Sequence, residues 1–314
     1  MTVFGALRET VFGIPSAAAV GNRRGFTPEA LTHFEPVANA LIAGYNGTLR
    51  DPRFPAITDK VAAVDPVLRG FAYEGVGMGL AVLDTLSPGR PRLPDFVAGP
   101  GKRHVALLYI GAGLAYARMR RFPEAAVGGL DRVLGWFAVD GYGFHEAFFH
   151  WANTVERHRV PSRLSAYGAQ VFDQGVGRAL WFTSGTDVER VARLIAAYPA
   201  DRHGDLWSGA AAACAYAGGA DAGLVAALLD LAPDHRRRMA GGVAMAAFGR
   251  ELAGNQAGHT DLACKVIAEH SAEETARIAD LAYRAASPLS VAPAHQIWRA
   301  RIDDELAVVH SEGK

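Results

Sequence analysis

Phe172-Asp173-Gln174-Gly175-Val176-Gly177-Arg178-Ala179-Leu180-Trp181 is an apolar stretch with glycines and polar residues set into it, and it has a second copy in the chain. That copy is Phe71-Ala72-Tyr73-Glu74-Gly75-Val76-Gly77-Met78-Gly79-Leu80, where Glu74, Gly75, Val76, Gly77 and Leu80 stand one hundred positions before Gln174, Gly175, Val176, Gly177 and Leu180. The same offset relates Tyr116-Ala117 to Tyr216-Ala217, and Gly141, Ala147 and Phe148 to Gly241, Ala247 and Phe248. A register held over so many anchors predicts an internal duplication within one domain. We read 1–64 as an N-terminal segment, 65–164 as repeat 1, 165–264 as repeat 2 and 265–314 as C-terminal helices.

Glycine inside a helix costs roughly 1 kcal/mol relative to alanine, so Gly75, Gly77 and Gly79 need an offset. Close approach of a neighbouring backbone supplies one. The run from His104 to Met119, dominated by small and apolar side chains, is the candidate neighbour.

Working outward, Thr27-Pro28-Glu29 has the cap, first-turn proline and first-turn acid of a helix start, and Leu31, Phe34, Val37, Leu41 and Ile42 carry that helix to about Ala43. Residues before 26 read as an irregular lead-in with one short helix, the prolines between 46 and 63 as a linker, and Asp65-Pro66 as the next start. Phe122-Pro123-Glu124 opens a helix to Phe137, so that 107–134 resembles a tetratricopeptide-type pair. Thr186 to Glu189 and Ser271 to Glu274 have capping-box spacing. A last helix over 294–309 places Ile297, Trp298, Ile302 and Leu306 on one stripe. Strand alternation is scarce. The fold class is therefore all-α, with stacked helix pairs burying a continuous core as a tetratricopeptide-like solenoid or an incomplete α/α toroid.

With 314 residues, half of them hydrophobic, the chain can bury a large core, and its formal net charge of zero argues against a nucleic-acid partner. Cys214 and Cys264 sit in apolar helical sequence and read as buried thiols, which fits a reducing cytoplasm. The N-terminal residues Met1 to Arg8 lack a signal-peptide pattern. Leu206 to Leu231 imitates a membrane span, but Gly218-Gly219 and Asp221 interrupt it, so no span is expected.

The chemistry-bearing candidates are polar residues embedded in apolar helices. Glu74 has only Arg69 and Asp84 as charged company between Pro66 and Leu86, and burial raises a carboxyl's pKa unless a partner opposes it. Gln174 and Arg178 lie one turn apart on a shared face, next to Asp173. The run from Asp140 to His150 combines acid, imidazole and aromatics; His145 and His150, five apart, are expected to point in different directions, and no metal is assigned. Asp205 reads as a helix cap with Trp207 packing inward, His259-Thr260-Asp261 as another helix start, and Asp303-Asp304-Glu305 as a solvated run. Nucleophile elbow, phosphate loop, dinucleotide fingerprint and paired cysteine ligands are missing from the sequence. The cofactor stays unknown and the chain's status as an enzyme open.

Tyr73 to Met78, Asp140 to His145, Phe172 to Trp181 and Asp205 to Gly209, with His259-Thr260 and Trp298, resemble a bacterial family of unknown biochemical function encoded beside enediyne polyketide synthases. The similarity covers roughly Thr10 to Ala300. It implies participation in forming or maturing an enediyne core and brings no established catalytic residues. Two readings remain. In one, Glu74, Asp140, His145 and Asp173 line a catalytic chamber for a hydrophobic polyene, with Tyr73, Gln174, Arg178, Trp181 and Trp207 binding it. In the other, a non-catalytic helical-repeat protein assembles with the polyketide synthase or another accessory subunit.

Overall fold

A computed structural model describes residues 3–312 apart from 22, 88, 90 and 289–292. Met1 and Thr2, part of the stretch read for a leader, lie outside the described residues. In chain order the helices are α1 (Val3–Phe12), α2 (Ala17–Gly21), α3 (Pro28–Arg50), α4 (Phe54–Ala62), α5 (Arg69–Leu86), α6 (Arg92–Ala98), α7 (Val105–Arg118), α8 (Glu124–Val127) and α9 (Phe137–Phe149). They continue as α10 (Trp151–Thr154), α11 (Ala166–Ser184), α12 (Val188–Ala196), α13 (His203–Ala217), α14 (Ala222–Asp230), α15 (Arg236–Ala253), α16 (Gly258–Ala263), α17 (Ala272–Ala286) and α18 (Ala294–Glu312). No strand occurs among the described residues, so the protein is all-α as expected.

The long helices α3, α5, α7, α9, α11, α13 and α15 form a row in which each packs on the next, and α17 and α18 follow against α15. Glycines set the spacing. On α5, a Cβ at Gly75 would lie 1.9 Å from the Leu41 carbonyl oxygen of α3, and one at Gly77 2.1 Å from the Leu108 oxygen of α7. Gly111 and Gly113 of α7 face Glu74 of α5 and Ala138 of α9 in the same way, and Gly141 and Gly143 of α9 face Ile110 of α7 and Phe172 of α11. Gly175 and Gly177 of α11 then face Asp140 of α9 and Leu206 of α13. In each Gly-x-Gly the first glycine receives the preceding helix and the second the following one. Each glycine Cα–H reaches a carbonyl oxygen of its neighbour, a weak contact that recurs where helices meet without side chains between them. The one-hundred-residue offset joins α5 to α11, and the helices between them, α7 and α9, carry the same glycine pair.

The row turns back on itself. Helix α3 also touches α11, where the Thr27 N–H donates to the Thr183 carbonyl at 3.1 Å. At the other end the buried Arg250 of α15 donates to the carbonyls of Val67 (3.3 Å) and Tyr216 (2.5 Å), tying α15 to the approach to α5 and the end of α13. The interior enclosed between these helices holds the candidate site.

Several local expectations change. Residues 46–63 are not a linker: α3 continues to Arg50 through Pro36, and Pro55 sits in the first turn of α4. Helix α5 starts at Arg69 rather than at Pro66, because Asp65 instead accepts the Val67 N–H in a turn. The helix expected to run from Glu124 to Phe137 stops at Val127. Asp187, not Thr186, caps α12, whereas Ser271 and Glu274 form the expected capping box. The lead-in holds both α1 and α2. Gly218 (φ 72°) and Gly219 (φ 91°) separate α13 from α14, and no described helix is long and apolar enough to cross a membrane. Cys214 and Cys264 are free and buried, and burial pushes both thiols up to about 12.

Candidate functional site

The residue before the first glycine of a pair faces the interior of the coiled row, and in α5, α9 and α11 that residue is polar: Glu74, Asp140 and Gln174. Arg178, one turn beyond Gln174, reaches the same place. Its Nη1 lies 2.9 Å from Asp140 Oδ1, and Gln174 Nε2 donates to Asp140 Oδ2 at 3.1 Å. Asp140 is fully buried; burial raises its pKa, against the pull of Arg178 and Gln174.

Glu74 completes the cluster, and its carboxyl makes no hydrogen bond among the described residues. Burial pushes its carboxyl up to about 7, with the Arg178 charge opposing and the Asp140 charge adding to the rise. A carboxyl that titrates near neutrality in an apolar surrounding can both give and take a proton.

Two cavities flank this cluster and share Phe71, Glu74, Arg178 and Phe182 as common wall. The first, of about 110 Å³, is a chamber lined chiefly by apolar side chains, among them Phe26, Phe34, Phe144 and Phe148; the second, of about 60 Å³, reaches Tyr216 and Met245. Glu74, His145 and Arg178 are the polar side chains on the first chamber. Several waters or a stretch of hydrocarbon fit such a void.

His145 lies on the chamber wall with its Nδ1 3.5 Å from Glu146 Oε1, and burial lowers its pKa. His150 does not point away from it as the spacing suggested. Helix α9 ends at Phe149, and His150, at φ −120° and ψ 41°, folds its ring back so that Nδ1 is 3.1 Å from Glu146 Oε2. His145, Glu146 and His150 offer donor atoms within 4.8 Å of one another, a grouping able to hold a metal ion. The charge of Arg118, which lowers the His145 pKa, acts against a cation there.

Other sequence candidates do not join the cluster. Asp173 lines neither cavity and is held by Arg202 through Nη2 at 2.6 Å and Nε at 2.8 Å. Tyr73 stacks on His104 with ring centroids 3.8 Å apart. Trp181 is fully buried and donates its Nε1–H to the Gly218 carbonyl, and Trp207 lines a separate recess with His203 and His235.

A second polar group escaped the sequence reading. Tyr167 pairs with His295 Nδ1 at 2.5 Å, Arg299 with Asp205 at 2.6 Å and Arg238 with Asp303 at 3.1 Å, beside a recess of about 460 Å³. Asp205 is thus a buried ion-pair partner rather than a cap, and Asp303 is buried rather than solvated. The signal was present: His295, Arg299 and Asp303 recur every fourth residue beside the apolar stripe of α18.

Fold and site together define an all-helical protein with an apolar chamber floored by a buried carboxyl–arginine cluster. The chain belongs to the family described as protein of unknown function (DUF1702), whose model matches residues 3–306. No curated protein and no solved structure matches it.

The Glu74 carboxyl gives a direct pH test. Its folded-state pKa of about 7 exceeds the ordinary 4.5, so the folded state holds the proton longer. Stability therefore falls as pH rises from 4.5 through 7, by on the order of 3 kcal/mol in total. Thermal melts of wild type and Glu74→Gln are expected to diverge over that window, with the variant more stable at pH 8 and the difference flat below pH 4.5. Parallel curves would mean that Glu74 titrates as a solvated carboxyl, and divergence of the opposite sign that it is fully paired.

Proposed function

We propose that this protein is an accessory protein of enediyne biosynthesis that takes a hydrophobic polyene intermediate into its chamber. The observation that carries this reading is the apolar cavity ending on Glu74 and Arg178, which also form the wall of a second cavity. A flat conjugated chain matches an aromatic-lined passage with one polar station. Glu74 would exchange a proton with the chain there, while Arg178, held by the Asp140 carboxylate that Gln174 also engages, would stabilise negative charge developing on it. His145 stands on the chamber wall and is the other group able to move a proton.

The experiment is native mass spectrometry of the protein co-expressed with a candidate synthase and its thioesterase, followed by denaturation. A stoichiometric polyene is expected from the wild type and is expected to be lost from Leu114→Trp, which fills the chamber. A second reading, non-catalytic assembly with the polyketide synthase or another accessory subunit, draws on the exposed row Phe4, Leu7 and Val11 along α1. A stable protein complex that releases no small molecule would favour it over the chamber.

A further inference from the structure

We propose that a basic vestibule at one end of the chamber binds an anionic group at the end of the chain that the chamber holds, so that the ligand is a single-chain amphiphile with a carboxylate or phosphate terminus. This rests on the chamber reading above. The vestibule is a recess of about 420 Å³ and shares Ile14, Met78, His145 and Phe149 with the chamber, which places it directly beside that space. Its basic side chains are the guanidinium groups of Arg23, Arg118 and Arg120, joined by the imidazoles of His145 and His150.

The three arginines come from two places, Arg23 from the segment after α2 and Arg118 and Arg120 from the end of α7, and converge without carboxylate partners among the described residues. Arg23 lies over the Phe149 ring at 4.8 Å and Arg118 over the Tyr45 ring at 5.7 Å, contacts that position a guanidinium and leave its charge unneutralised. The Glu146 carboxylate is nearby, but His145 and His150 engage it.

Arg120 adds an independent observation. It follows α7 at φ 53°, in the left-handed region, where its N–H closes the helix end onto the Ala117 carbonyl. Glycine is the residue that adopts this conformation without cost, so an arginine in this place lowers stability. The left-handed turn puts Arg118 and Arg120 on the same recess. Arginine suits both carboxylate and phosphate, because its planar fork matches either.

The test is calorimetric titration of the full chain with dodecanoate, dodecyl phosphate, dodecanol and dodecyltrimethylammonium at low salt. Either anionic chain is expected to bind at least tenfold tighter than dodecanol, and the stronger of the two identifies the terminus. Raised salt and the Arg118→Gln/Arg120→Gln double variant are each expected to erase that preference and leave dodecanol binding unchanged. Arg120→Gly is expected to raise the thermal midpoint while weakening the anionic chains, opposite signs that a purely structural arginine would not give. Equal binding of dodecanol and the anions would overturn the vestibule and leave the chamber standing. Tightest binding of the cationic chain would overturn it as well, and binding of none would remove both.

Discussion

Gly111→Ala is expected to leave the protein unfolded or less stable by about 3 kcal/mol or more. Helix propensity alone argues the reverse, since alanine in a helix interior is favoured by about 1 kcal/mol over glycine. The added Cβ, however, would sit 1.8 Å from the Glu74 carbonyl oxygen and 2.7 Å from the Met78 nitrogen, and ordinary contact begins near 3.4 Å. Both obstructing atoms are backbone, so no rotamer change relieves the clash; α5 and α7 must separate along their whole contact. Overpacking of flexible side chains costs about 1–3 kcal/mol, and a rigid obstacle costs more. Gly128 is the control, because a Cβ there meets nothing within 4 Å and Gly128→Ala is expected to change stability by at most about 1 kcal/mol. Urea unfolding of both variants decides it. A stabilised Gly111→Ala protein would show that the glycines are not spacers.

Arg178→Met is the second large effect. It removes the guanidinium 2.9 Å from the fully buried Asp140 and leaves only Gln174 on that carboxyl. Breaking a buried pair from one side typically costs about 3–5 kcal/mol. The sign with pH follows from linkage. Without Arg178, burial raises the Asp140 and Glu74 pKa values further, the folded state holds more protons than the unfolded one, and the deficit grows as pH rises. The loss at pH 8 should therefore exceed the loss at pH 5. Asp140→Asn combined with Arg178→Met is expected to recover most of the stability, because no charge is then stranded. Denaturant titrations of the four proteins at both pH values check this, and additive single effects would refute the coupling.

Much of the site could be read from the sequence because polarity inside an apolar helix is conspicuous. Glu74, Gln174 and Arg178 stand out in Phe71 to Leu83 and Phe172 to Trp181 for that reason, and Asp140 in the run before His145. Asp173 did not belong with them. Successive helical residues point roughly 100° apart, and the turn from Gln174 back to Asp173 carries that carboxylate to Arg202 instead. Proline misled at 46–63, where the first-turn position of Pro55 marks a helix start as readily as a loop. The glycine pattern was only half visible, since α13 and α15 keep Gly209 and Gly242 but carry alanine two residues later. The grouping of Asp205 with Arg299 joins positions 94 residues apart, and no local pattern announces which distant partner a buried charge will find.

The glycine contacts also bear on how such a protein changes over generations. Its helix spacing is fixed by side chains that are absent, so replacing Phe144, Phe148 or Phe182 reshapes the chamber while the wall stays where it was. Selection then acts on two nearly independent sets of positions. One is close to immovable, and the other is free to drift toward new molecules without a fresh settlement of the fold.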